Sequence, residues 1–340
     1  MTRSQDPPTD RAISIQPQHS WKRFYGLFAI LWASGAFLVP SLCAQEASLT
    51  LAPAIEHHGE GHINWASGIL SAKGFGAAPP TAPPAAVQTM AARAALAVAR
   101  RNLLELVEGV RIDSETLVEN FMVKSDIIQS QVQGLVKNAF ITKKNILADG
   151  NVEIVMSMNM WGNDSLISNL IAETTKFSNT GEGASHIETY TGLIIDAREL
   201  GVQPATFPTV TDEKGQILYG KKTAPRDLIK KIGMVEYFVP VIQASATFPK
   251  HFLYPVADHP THPAAEERVG PRPLHIKGIQ KTGSWGTDIM VSAADAEKIR
   301  QDATLMNLLH NANVIIVIDP LVAGVEGHLR PGNVLPVSYP

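Results

Sequence analysis

The chain has 340 residues, 45% of them apolar and 18% charged, with a formal net charge of −3. That apolar content excludes a disordered polypeptide, and the near balance of acids and bases argues against a nucleic-acid partner. The length suits about two domains, each large enough to bury a core of its own.

Lys22-Arg23 precede an uncharged run from Phe24 to Leu42, followed by Cys43 and Ala44. A basic patch, an apolar core and small residues behind it form the layout of a secretory signal peptide. An uncleaved anchor competes, since about 20 apolar residues can span a bilayer. Pro40 and the small residues beyond it favour cleavage, so residues 1–44 are expected to be removed on export. Cys43 is the chain's single cysteine. It stands where a bacterial lipoprotein carries its acylated residue, yet Pro40 and Leu42 depart from the usual lipobox, which puts a lipid anchor at Cys43 in doubt. The mature chain is then free of thiols and must be held by its core rather than by disulfides.

Residues 45–64 are polar and are read as a flexible tail. His57, His58 and His62 lie close in sequence, but only Glu56 and Glu60 could complete a ligand set, and no metal is expected. Ala66 to Phe75 reads as a strand ending in Gly74-Phe75-Gly76. A strand, Gly-x-Gly and a helix invite a dinucleotide reading, but Pro79 occupies the third glycine position and a proline loop intervenes, so no cofactor is expected. From Ala86 to Val107 a helix is predicted, with Ala92, Leu96, Ala99, Leu103, Leu106 and Val110 as its apolar stripe and Gly109 as its stop. An extended segment is expected over Val110 to Val123 and a strand over Leu135 to Ile146. Asp149-Gly150 signals a hairpin into the alternating strand Val152, Ile154, Met156, Met158 and Met160. These elements make a first domain over residues 65–162.

Residues 163–188 are read as a linker with a helical piece from Leu166 to Phe177. A second module is expected over 189–319. It opens with a buried strand at Gly192 to Ala197, continues with a hairpin about Asp212-Glu213-Lys214-Gly215, and makes a Pro- and His-bearing excursion from Phe248 to Pro273. Strands at Leu274 to Ile279 and Asp288 to Val291 flank the turn at Gly283 to Gly286. A capping box at Ser292 to Asp295 opens a helix running to Leu309, and Val314 to Ile318 is a continuous apolar strand. Residues 320–340 are a C-terminal tail. The predicted fold class is α+β: a small antiparallel sheet covered by one long helix, followed by a second α/β unit.

No convergent chemistry is visible. Gly-x-Ser-x-Gly, the phosphate loop and His-Glu-x-x-His are all absent from the sequence. Ser185-His186 lies in the linker, and Asp258-His259 with His251, His262 and His275 is more simply read as surface polarity. Trp161 and Trp285 could stack on sugars, though a lone Trp beside a turn more often packs. No catalytic, cofactor or metal site is expected, and an enzyme is not predicted.

The segment holding Ala91-Ala92-Arg93-Ala94-Ala95, Arg101-Asn102-Leu103-Leu104-Glu105, Gly109 and Val132 to Gly134, with Gly74-Phe75-Gly76 ahead of it, resembles a bacterial envelope family. That family of small outer-membrane-associated lipoproteins includes the flagellar ring protein FlgP and the N-terminal domain of FlgT. Thr191 to Gly220 looks like the second module of its longer members. The resemblance implies a non-catalytic, oligomer-forming protein of the periplasm or outer-membrane periphery, with itself or other envelope or flagellar proteins as partners. The alternative from the residues is a periplasmic module that binds peptidoglycan or a small ligand.

Overall fold

The computed structural model describes residues 50–174, 190–241 and 262–321, all within one unit that spans Glu46–Pro340. Residues 1–44, which the sequence suggests as an export signal, with Cys43 among them, and Ser185-His186, His251 and Asp258-His259 lie outside the described residues. Among the described residues no helix is long and apolar enough to cross a membrane.

The stretch expected as a flexible tail folds from Leu51 onward into three strands, β1 (Leu51–Pro53), β2 (Ile55–His58) and β3 (Gly61–Asn64). Gly59, at φ +49°, turns β2 into β3, and the pair is antiparallel. Their polar composition hid them. Glu56 is buried in spite of its charge because Arg111, just past the C-terminal end of the long helix, pairs with it.

β4 (Ile69–Gly76) pairs with β3, and after the helices the chain returns as the hairpin β5 (Phe140–Ile146) and β6 (Val152–Asn159), turned at Gly150. The sheet order is β2-β3-β4-β6-β5, antiparallel throughout. Across β4 and β6 lies α1 (Val87–Glu108), which buries Ala91, Ala95, Ala99, Leu103, Leu106 and Val107. Its early turns face inward through Ala91 and Ala95 rather than Ala92 and Leu96. The cause is Gly74 and Gly76: a Cβ on either would stand 2.2 Å from a backbone nitrogen of α1, at Ala99 and Ala95 respectively. The Gly-x-Gly therefore sets a close helix–sheet approach.

Two expectations between α1 and β5 are overturned. The supposed extended segment ends in α2 (Val118–Lys124), and the first residues of the supposed strand at Leu135 belong to α3 (Asp126–Lys137). Ser125 caps α3 by accepting from the Ile128 amide, and Ile128, Val132 and Val136, four apart, form its buried face. The stretch read as a linker begins with α4 (Leu166–Thr174), which buries Leu166, Ile167, Leu170 and Ile171 in the main core. It is part of the fold; residues 175–189 lie outside the described residues.

The second module contributes β7 (Gly192–Asp196), β8 (Val210–Asp212), β9 (Ile217–Tyr219), α5 (Arg226–Ile232), β10 (Glu236–Pro240), α6 (Pro263–Val269), β11 (Pro273–Thr282) and β12 (Asp288–Val291). It closes with α7 (Ala293–Gln301), α8 (Ala303–His310) and β13 (Val314–Val317). The eight strands order as β1-β10-β13-β7-β11-β12-β8-β9, with β10, β13, β7 and β11 parallel in the middle. Val314–Val317 is buried at every position, as a continuous apolar run in a covered parallel sheet should be. The helix expected from Ser292 to Leu309 breaks at Asp302, whose carboxylate accepts from the Thr304 and Leu305 amides and caps α8. β1 pairs with β10, so the first described strand belongs to the second sheet. The fold is α+β, and one apolar core runs through both sheets, with a smaller cluster under α6.

Candidate functional site

Three features stand out once the modules are assembled: a buried charge cluster, a cavity beside it, and an open strand edge. The charge cluster gathers on Glu56. Its carboxylate accepts from Trp65 Nε1 at 2.8 Å and pairs with Arg111 and, at 2.9 Å, with His58. Burial alone would raise the carboxyl; the His58 hydrogen bond and the Arg111 charge override it and hold the pKa at about 2. Arg111 also donates to the Pro204 carbonyl at 2.7 Å and lies over the Trp65 ring, while Tyr237 meets Trp65 edge-on. These groups pair with one another inside the protein, so the cluster ties the modules together, with Glu56 and Arg111 largely buried and the His58 side chain partly exposed.

Trp161 is wedged between the modules. A Cβ on Gly68 would fall 2.4 Å from its ring and one on Gly233 2.9 Å, and both glycines hold positive φ. The ring is thus a packing element, which counts against the sugar-stacking reading. Beside it opens a cavity of about 380 Å³, walled by Ser67, Glu236, Arg268, Asn311 and Asn313 among others. Arg268 donates to the Ile232 and Gly233 carbonyls at 2.8 and 3.0 Å, at the end of α5, and stands 3.5 Å from Glu236 Oε1. Burial pushes the Glu236 carboxyl up to about 7; Arg268 opposes this and Glu267 adds to it. Burial likewise lowers the Arg268 guanidinium, against the pull of Glu236. Glu236 Oε2 and Arg268 Nε are buried with no hydrogen-bond partner in the protein.

The open edge is β5. It ends its sheet and pairs with β6 alone. Six of its seven residues are exposed, Phe140 at 46%, Ile141 at 50% and Ile146 at 54%. Ile141 and Ile146 stand opposite Met156 and Val152, which are buried on the side of the sheet that α1 covers. They carry that apolar face one strand further out. Lys143, Lys144 and a bulge between Ile141 and Lys143 interrupt the strand.

Among the described residues, the histidines singled out in the sequence do not converge. His57 and His62 are cross-strand neighbours with ring centroids 5.7 Å apart, and His58 is tied to Glu56. His262 caps α6 through Nδ1, and His275 sits within β11 beside Ile194. Trp285 is half exposed in its turn, where its amide donates to the Ser114 carbonyl. Among the described residues no three His, Cys, Asp or Glu side chains gather as a metal site. Sequence reading missed Glu236, Arg268 and the joint at Glu56. An isolated acid at a strand start carries no motif, and only the fold brings Arg268, from another helix, to its side.

Residues 192–320 match a family described as Treponema pallidum Tp0624, second domain. The match starts at the first residue of β7 and runs just past β13. No curated protein matches the chain.

Proposed function

We propose that this chain is an exported, non-catalytic structural or assembly protein of the bacterial cell envelope, joining copies of itself through β5 into a larger ring, as in the flagellar relatives it resembles. The observation that carries this reading is the seven-residue edge of β5, with Phe140, Ile141 and Ile146 exposed. An edge of that length offers a row of backbone donors and acceptors to an added strand. Two β5 strands laid side by side would crowd Lys143 and Lys144 against their counterparts, and like charges across a strand pair repel. The contact is therefore head-to-tail, β5 of one copy against a different strand of the next, and contacts of that kind build rings.

The test is photo-cross-linking from Ile141 in the full chain, expressed in a bacterial host with residues 1–44 in place. A ladder of linked copies in the envelope fraction is the expected result. Intact 340-residue chain confined to the cytosol, or envelope chain with no linked product, overturns the proposal.

A further inference from the structure

A strand edge that joins copies head-to-tail needs an acceptor on the next copy. Among the described residues the terminal strands other than β5 are β2, at the far end of the small sheet, and β1 and β9, at the ends of the large one. β9 is three residues long and runs directly into Gly220, Lys221 and Lys222. Lys143 and Lys144 of an arriving β5 would meet two further lysines there, and like charges across a strand pair repel.

β1 and β2 differ because they are one stretch of chain. Only Ala54 separates them; its amide donates to the Tyr237 carbonyl of β10 at 3.0 Å, and its carbonyl accepts from the Trp65 amide, just past β3, at 2.9 Å. Each strand alone is short, but the run from Leu51 to His58 closes both sheets and matches the seven residues of β5 in length. Backbone bonds in an antiparallel pair fall on every second residue. The Val241 amide donates to the Thr50 carbonyl, so with Ala54 the inward set is Thr50, Ala52, Ala54, Glu56 and His58. Pro53, Ile55 and His57 turn their backbone groups outward along a single edge, and among the described residues nothing pairs with them there. Pro53 lacks an amide hydrogen and stands where no bond within the sheet is lost by it.

We propose that β5 of one copy pairs with this outer edge, Pro53 to His57, of the next copy. The inference rests on the proposed assembly and gives it its second surface. Charge favours the match: Leu51 to His58 holds no lysine or arginine, while Glu56 and Glu60 are the acids of the β2–β3 hairpin. Side chains agree as well. Register runs from His57 to His62, Ser71, Ser157 and Phe140, so His57 and Phe140 share the face of the small sheet away from α1, and Ile55 shares it with them. Where the sheet continues from copy to copy, the exposed side chains of Phe140 and Ile55 lie on one face across the joint.

The experiment digests the chains linked from Ile141 and locates the joined peptide by mass spectrometry. A link within residues 51–58 of the neighbouring copy is expected. A ladder whose links fall on any other segment overturns this inference and leaves assembly through β5 standing; no ladder at all removes both. A second arm exchanges charge. His57→Lys sets a cation against β5 and should weaken association of the exported chain in sedimentation by about fivefold, with circular dichroism unchanged. Lys143 shares the face of His57, since its partner Val155 lies two residues from Ser157, and adding Lys143→Glu to the same chain should restore association. Wild-type association in His57→Lys, or a double variant no stronger than His57→Lys, would sink the pairing.

Discussion

The two sheets end differently. The large one is bounded by β1 and β9, each three residues long, while its parallel centre is covered by helices. The small one ends in β5, seven residues long and exposed nearly throughout. Short terminal strands are one of the standard ways to keep a sheet from recruiting a neighbour, and the small sheet lacks that protection at β5. It carries Lys143, Lys144 and a bulge instead, which limit pairing along β5 without shortening it. The second module is thus finished as a unit, and the first is open along one side.

The sheets also meet their helices at different distances, and the largest effects are expected where the approach is closest. Gly74→Val places a Cβ 2.2 Å from the Ala99 nitrogen, and backbone cannot swing aside as a side chain can. A loss of more than about 4 kcal/mol is expected in urea unfolding, by forcing α1 off the sheet. The comparable change in the large sheet is Gly192→Ala, where the new Cβ falls 2.4 to 2.6 Å from the Cβ, Cα and carbonyl oxygen of Val269. About 2 kcal/mol is expected there, since alanine adds a single methyl group where valine adds a branched side chain. Equal losses would mean that both modules pack their helices under the same constraint.

Next in size is the joint between the modules. Arg111→Ala leaves Glu56 buried without its strongest cation and should cost about 3 kcal/mol. The same pair sets an acid limit. Glu56 titrates at about 2 when folded against 4.5 when unfolded, so its contribution is complete above pH 4.5 and is lost as pH falls toward 2. Fluorescence of Trp65, which donates to that carboxylate, should follow the loss. Stability unchanged between pH 5 and about pH 3 would show that Glu56 is not held down as the geometry requires.

These sites also show what the sequence could and could not disclose. Period-two alternation identified β6 and the apolar run identified β13, because each pattern is produced by the local burial of one strand. The long helix was legible for the same reason, although its inward face was misplaced by one residue at Ala91 and Ala95. That offset is dictated by Gly74 and Gly76, which are remote in sequence from the turns they draw in. β2 was illegible because its one buried residue is an acid, and burial of Glu56 depends on an arginine 55 residues away. The cavity shares this logic: Glu236 and Arg268 become a pair only once α6 is laid beside β10. Pairwise polar burial between distant segments leaves no periodic trace.

Glu236 predicts a smaller effect of opposite sign. Its folded pKa of about 7 lies above the ordinary 4.5, so the folded chain holds its proton more tightly. Stability from this group is greatest below pH 4.5 and declines as pH rises through 7. Glu236→Gln removes the buried charge and should raise stability by about 1 kcal/mol at alkaline pH, with little change in acid. A variant less stable than wild type at about pH 8 would mean that the contact with Arg268 outweighs desolvation.

The smallest change in stability is expected at the open edge, and there it decides most. Ile141 is half exposed in the monomer, so Ile141→Lys removes little buried surface and should shift unfolding by less than about 0.5 kcal/mol. It also adds a third charge to a strand that already carries Lys143 and Lys144. A strand docking there would have to bury that charge, so sedimentation should show the variant as a monomer at concentrations where wild type associates. Ile217→Lys is the control in the large sheet: Ile217 is also well exposed to water, at 62%, but lies on the three-residue terminal strand β9. Association lost with Ile141→Lys and retained with Ile217→Lys assigns the contact to the long edge of the small sheet. The reverse result would transfer it to β9 and show that strand length does not distinguish the two ends.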